Sequence, residues 1–334
     1  MPALLLTFFL LLQAAFAGPS WQAAPDAGER PAVPAPPGGW WTENGLYVNV
    51  HGGQDDHTVV RRLADHAATS LPRLSRLIGV EPGSDIDVYV AAEADQFDSM
   101  QPGIPPEWAD GTAWPNWGLI FLRAPSIRPG MAEPLEQVLD HELVHILVGR
   151  AFAPRTPPRW LQEGLAQFWT GELDPSVATR LSSVVFGRER LFSLNQLSGS
   201  FYGDPVRAAE GYAASADFMG FLTARYGEDA VRTLVAEMAG GKAFPDALRV
   251  VTGKDMEAVE AEWSGRWTDP AAIFGAVLST DVLWGFAGVL AVIGAFRVRR
   301  RARKKLDRWE REERWLMSRS NATDLDGYVN GRAG

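Results

Sequence analysis

His141-Glu142-Leu143-Val144-His145 sets two imidazoles four residues apart, with a carboxylate directly after the first. On an α-helix, positions i and i+4 share a face with Cβ atoms about 5–6 Å apart, which suits two ligands of one tetrahedral ion. Glu142 projects about 100° round from His141. It therefore stands beside such an ion without binding it, where it can take a proton from water. The chain has five His and no Cys, so any metal is held by imidazole and carboxylate. Disulfide scaffolds, thiolate zinc sites and cysteine nucleophiles are excluded. No His follows His145, which makes the third ligand a carboxylate. Glu163, in Trp160-Leu161-Gln162-Glu163-Gly164-Leu165-Ala166, offers one 18 residues after His145. The expected cofactor is one zinc ion per chain, held by His141, His145 and Glu163. His51, His57 and His66 lie upstream with no mutual ligand spacing and are not expected to bind it.

The ligands need two buried helices that cross. Leu135, Val138, Leu139, Leu143, Ile146 and Leu147 give the first helix its apolar faces, with Pro134 opening it and Gly149 closing it. Leu161, Leu165 and Phe168 stripe the second, and Gly164 removes a side chain where the two must approach closely. After Pro134 the pattern is helical throughout, over about 134–148, 158–170, 207–226, 229–239, 244–252 and 254–266. Before it, Leu46 to Val50, Ile86 to Val90 and Gly118 to Arg123 read as strands, with amphipathic helices near 58–79 and 92–100. The fold class is α+β: a mixed sheet with helices, then a mostly helical half. Folded sequence is expected from about Trp40 to residue 270.

Charge and hydropathy at the two ends describe a different environment. Residues 297–334 carry 12 basic and 6 acidic side chains, leaving 20 basic and 35 acidic ahead of them. So acidic a body repels nucleic acid. Residues 1–17 read as an export signal, with a short apolar core and Ala15-Phe16-Ala17 before Gly18; an uncleaved anchor is the alternative. Residues 18–39, rich in Pro and Ala, read as a flexible linker. Residues 273–296 are apolar apart from Ser279, Thr280 and Asp281 and meet the length of a transmembrane helix. Arg297, Arg299, Arg300, Arg301, Arg303, Lys304 and Lys305 follow at once, as the positive-inside rule requires of a cytoplasmic flank. A buried core helix is the other reading of the apolar run, and nucleic-acid binding the other reading of the basic cluster. The expected topology is single-pass in the cell membrane, with the main domain extracytoplasmic and the tail, 297–334, cytoplasmic.

His141 to His145 followed by Trp-Leu-x-Glu-Gly-x-Ala resembles the gluzincin zinc metallopeptidases of the thermolysin-like clan. The likeness is to peptidase-MA-like domains related to the M1 aminopeptidases. Metzincins, by contrast, need Gly and His where this chain has Val148 and Ala151. The resemblance implies a peptidase that hydrolyses peptide bonds of a peptide or protein substrate, with Glu142 as general base; the apolar run and its basic flank make the expected enzyme membrane-anchored. The resemblance also implies an edge strand along which substrate lies, for which Gly118 to Arg123 is the candidate, and a Tyr that stabilises the tetrahedral intermediate. Tyr212 opens a helix where the M1 family carries that Tyr; Tyr202 is the alternative, and Tyr226 reads as packing. M1 aminopeptidases hold the free amine with a Glu in Gly-x-Met-Glu-Asn, whereas this chain reads Gly111-Thr-Ala-Trp-Pro-Asn. Aminopeptidase specificity is thus unsupported. Trp108, Trp114 and Trp117 either shape an apolar subsite or cover the sheet. A non-catalytic, zinc-stabilised peptide-binding or sensor module is the rival function, and hydrolysis of a non-peptide amide a third.

Overall fold

The computed structural model describes residues 29–105, 109–128, 134–171, 193–198 and 205–268, together with 294, 296–300 and 303, the last seven all helical. Strands β1 (Trp41–Asn44) and β2 (Val48–Gly52) lead into helix α1 (His57–Ile78), followed by β3 (Ile86–Ala91), α2 (Ala94–Ser99), β4 (Gly111–Trp114) and β5 (Leu119–Arg123). Then come α3 (Leu135–Phe152), α4 (Arg159–Thr170), α5 (Leu194–Ser198), α6 (Pro205–Tyr226), α7 (Asp229–Ala239), α8 (Phe244–Thr252) and α9 (Met256–Thr268). The sheet order is β1-β2-β3-β5-β4, with β2, β3 and β5 parallel and the two outer strands antiparallel to their neighbours. The expected α+β architecture is therefore present.

Period-2 alternation divides the sheet into two buried faces. Val88, Val90, Ile120 and Leu122 turn toward α1 and α3 and join the main core with Leu63, Leu71, Leu74, Leu143 and Ile146. Tyr89, Leu119 and Phe121 turn the other way and pack with Phe97, Met100, Trp114, Trp117, Trp40 and Val33. A strand buried on both faces reads as a continuous apolar run and belongs inside a sheet. That is why Gly118 to Arg123 is not the edge strand expected from sequence: β5 pairs with β3 on one side and β4 on the other. The edge is β4, joined to β5 by a tight turn in which Gly118 takes φ +64°. A side chain there would also meet the Asp85 carbonyl oxygen at 2.5 Å.

Two further expectations need correction. Gly149 does not end the zinc-motif helix, which continues to Phe152 and stops before Pro154. Gly149 is instead where the β4–β5 turn rests on α3: a Cβ would lie 2.3 Å from Pro115 Cβ. Nor do residues 29–39 behave as a free linker. Val33 packs in the outer core, and Arg30 pairs with Asp87 at 2.6 Å, so contacts begin ten residues before Trp40.

Among the described residues no helix is long and apolar enough to cross a membrane. The expected span, 273–296, lies outside them except for 294 and 296, as do the expected export signal and most of the tail.

Helix α1 is fastened to α3 by charge as well as packing. His66 Nε2 lies 2.9 Å from Asp140 Oδ1, and Arg73 Nη2 lies 3.4 Å from Oδ2. The hydrogen bond to Asp140 lifts the His66 imidazole above its ordinary value, outweighing desolvation. A raised folded-state pKa means this contribution to stability is full below about pH 6.5 and is lost as pH rises through the elevated value. Urea unfolding at a series of pH values should show wild type exceeding His66→Asn most at the acid end, with the gap closing toward alkaline pH. A gap that does not vary with pH would remove this electrostatic role.

Candidate metal centre

Helix α3 is apolar on nearly every side, and its buried residues include Leu139, Leu143, Val144, Ile146 and Leu147. Such a helix must be enclosed all round, and enclosure carries its polar residues inward with it. His145 and Glu142 are buried, while His141 keeps part of its surface, with its side chain 18% exposed. The imidazoles of His141 and His145 meet at 4.9 Å between ring centroids, inclined at 67°.

The third group comes from α4, which begins after Pro157-Pro158 and ends where Gly171 adopts φ +81°. Glu163 Oε2 lies 3.7 Å from His141 Nε2 and 4.0 Å from His145 Nε2, and one candidate ligand atom from each residue falls within 4.8 Å of the others. Tetrahedral zinc with ligands at about 2.0–2.2 Å needs its donors roughly 3.4 Å apart, so the three groups would draw closer together to hold one ion. Burial pushes the Glu163 carboxyl up, but the His141 imidazole and the charges of His145, His141 and Arg159 prevail and hold it below the usual carboxylate range. Its other oxygen, Oε1, is buried with no hydrogen-bond partner among the described residues. Two imidazoles and a buried, ionised carboxylate converging on one point fit a divalent cation of zinc's preference. Among the described residues this is the one such group.

Glu142 stands outside that triad. It leans on the edge strand: a Cβ at Gly111 would lie 2.9 Å from Glu142 Oε1, 3.0 Å from its Cγ and 2.8 Å from Val138 Cγ1. The absence of a side chain at Gly111 is what lets the carboxylate sit between α3 and β4.

Tyr212 lies on α6 and is fully buried, with the Arg159 guanidinium 5.2 Å from its ring centre. Its place follows from the crossing of α4 on α6. A Cβ at Gly164 would meet Ser215 Cβ at 2.7 Å, Ser215 C at 3.0 Å and Ala216 N at 3.3 Å. Tyr212 is one turn before that contact and Glu163 one residue before it, so both are brought to the same end of the crossing. Tyr202 and Trp108 are outside the described residues. Tyr226 donates to Glu262 Oε2 at 2.8 Å, in keeping with a packing role. Trp114 and Trp117 pack into the outer core and so cover the sheet. His51 bonds Thr42 and Asp87, His57 packs on Trp41 and His66 bonds Asp140, and none joins the triad. Two residues of the site escaped the sequence reading: Gly111, hidden in a four-residue strand, and Arg159, whose signal is a cation in a helical first turn where an acid is favoured.

The peptidase MA superfamily model matches residues 66–268. The chain thus belongs to the peptidase MA superfamily, and the matched stretch contains the triad, Glu142 and Tyr212. Among solved structures it is similar to an M1 zinc metallopeptidase from Deinococcus radiodurans, at 18% identity over 68% of this chain and 51% of that one, with a TM-score of 0.38. A point mutant of that protein gives 16% identity over 66% and 50%, with a TM-score of 0.40. Native yeast LTA4 hydrolase gives 15% identity over 69% of this chain and 39% of that one, with a TM-score of 0.41. The chain thus spans about half or less of the length of these proteins. No curated protein matches it in sequence.

Backbone atoms cannot yield as a flexible side chain can, so Gly164→Ala should force α4 and α6 apart. The expected cost is about 1–3 kcal/mol, together with weaker zinc binding. Urea unfolding and zinc titration of the variant test this, and wild-type values in both would mean that the crossing is not sterically tight.

Proposed function

We propose that the protein is a zinc-dependent peptidase anchored in a membrane by one C-terminal helix. Membership of the peptidase MA superfamily supports the class, and the carrying observation is the convergence of His141, His145 and Glu163, with the Glu142 carboxylate from the same helix as the two imidazoles seated against Gly111 of the edge strand. A zinc ion held by His141, His145 and Glu163 supplies a Lewis acid that acidifies water and polarises a carbonyl. The rest falls to the chain's own groups. The outer edge of β4 pairs with an extended peptide, whose backbone then runs past Glu142. Glu142 takes the proton of the attacking water on its carboxylate and returns it to the leaving amine. The Tyr212 hydroxyl is assigned as hydrogen-bond donor to the oxygen that gains charge. Because the stretch from Gly111 to Gly118 contains no Asp or Glu, that segment has no acid to hold a free amino terminus. The substrate class is peptide or protein, and this segment gives no support for an aminopeptidase.

Two arguments from the sequence support the anchor. Residues 273–296 are long and apolar enough for a span, and the basic cluster from Arg297 sets the tail in the cytoplasm. The export signal at 1–17 then places the catalytic domain outside.

Glu142→Gln should retain zinc and lose turnover of a denatured-protein substrate by about 10²–10⁴-fold, whereas Glu163→Ala should lose zinc itself. Metal analysis beside the assay separates the two, and equal zinc loss would mean the roles are misassigned. Full zinc with no turnover in wild type and Glu142→Gln alike would favour the binding-module reading. Protease added to intact cells should remove an epitope placed near Gly38 and spare one at Gly334. Protection of both would withdraw the anchor and the extracytoplasmic substrate while leaving the metal site untouched.

A further inference from the structure

The two oxygens of Glu163 have different surroundings. Oε2 faces the imidazoles, at 3.7 Å from His141 and 4.0 Å from His145, while Oε1 lies 4.0 Å from Arg159 Nε. Arg159 stands one turn ahead of Glu163 on α4, its Nε is shielded from solvent, and its guanidinium covers the ring of Tyr212 at 5.2 Å. Its side chain as a whole is 26% exposed, so it reaches the site from the helix's open first turn.

Local helix preferences do not account for an arginine here. A cation in the first turn opposes the helix dipole, and a base placed four residues ahead of an acid is the weaker order of that pair. Local rules are broken most often where a site requires it. What the position does provide is a planar group that can meet a carboxylate oxygen on one side and an aromatic face on the other, which an ammonium does less well.

We propose that Arg159 is a positioning residue of the metal centre: it engages Glu163 Oε1, so that Oε2 alone is offered to the metal, and it braces Tyr212 in the same contact. The inference rests on the proposed zinc site. Its consequence is coordinative. A carboxylate held by one oxygen would leave, beside the two imidazoles, one place for water in a four-coordinate site, whereas one freed to turn could add its second oxygen to that set and raise the coordination to five. Outer partners of metal ligands commonly govern affinity by about 10–100-fold.

Cobalt(II) in place of zinc reports this directly, because four-coordinate cobalt absorbs visible light far more strongly than five- or six-coordinate cobalt. The full-length protein, stripped with a chelator, is titrated with cobalt as wild type, Arg159→Met and Arg159→Lys. Arg159→Met should show weaker visible absorption and about 10–100-fold lower cobalt affinity, with unchanged far-ultraviolet circular dichroism. Arg159→Lys should recover part of the affinity but not the absorption, since it keeps the charge without the planar fork. Wild-type spectra and affinity in Arg159→Met overturn the proposal. Should that variant fail to fold, wild-type behaviour of Arg159→Lys overturns it equally. The readout does not depend on hydrolysis. The expected spectral change in a protein that cleaves no peptide would sink the peptidase reading and leave Arg159's role standing. Wild type that takes up no cobalt would overturn both.

Discussion

A carboxylate only 3% exposed to solvent, Glu163, governs the helical half of this protein. Burying a charge is costly unless partners of opposite charge or a metal compensate for it. Here the compensation comes from three groups: two imidazoles on α3 and the Arg159 guanidinium on α4, the helix that carries Glu163 itself. That demand fixes how α3 and α4 are placed, and the glycine beside Glu163 then admits the α6 backbone at Ser215. On α6, Tyr212 lies beneath the Arg159 guanidinium. The apolar surface of α3 supplies the enclosure, and within it His141 and His145 turn toward Glu163.

The site was more legible in the sequence than the sheet that supports it. His141 and His145 announce themselves by helical spacing, and the absence of later histidines leaves a carboxylate, so Glu163 follows from elimination and from its apolar stripe. Helices with long amphipathic periods were readable to within a few residues. The sheet was harder for a physical reason. β1 and β4 are four residues long, and β4 is Gly-Thr-Ala-Trp, too short and too mixed to show alternation. With β4 unseen, β5 looked like an edge, although its unbroken Leu-Ile-Phe-Leu run is the mark of a strand covered on both faces. Gly149 misled for a related reason. A glycine late in a helix resembles a stop, and only the position of Pro115 above it reveals a spacer. Arg159 and Gly111 carry no spacing signal, because their meaning lies in what approaches them from elsewhere in the chain.

The outer face of the sheet has its own polar anchor. Burial raises the Asp87 carboxyl, but hydrogen bonds from His51 and Asn49 and the charge of Arg30 hold it below the usual carboxylate range. His51 can donate to Asp87 through Nε2 while Nδ1 accepts from the Thr42 hydroxyl at 2.8 Å. One carboxylate thus joins β1, β2 and β3 to the segment around Arg30, while Trp40 closes over His51 and Tyr89. The Pro-rich approach to the domain is in this way part of its covering layer, with its far side set against the sheet and away from α1 and α3.

The seating of Glu142 against Gly111 also acts as a vernier. The carboxylate is keyed to one position on the edge strand, so an extended chain paired with β4, as proposed above, would be read from a fixed origin. Strand pairing can shift without turning side chains over only in steps of two residues, about 6.7 Å. Successive bonds of a chain paired in that way would not be equivalent before Glu142: those in one phase would present one set of side chains toward α3, and those in the other phase the opposite set.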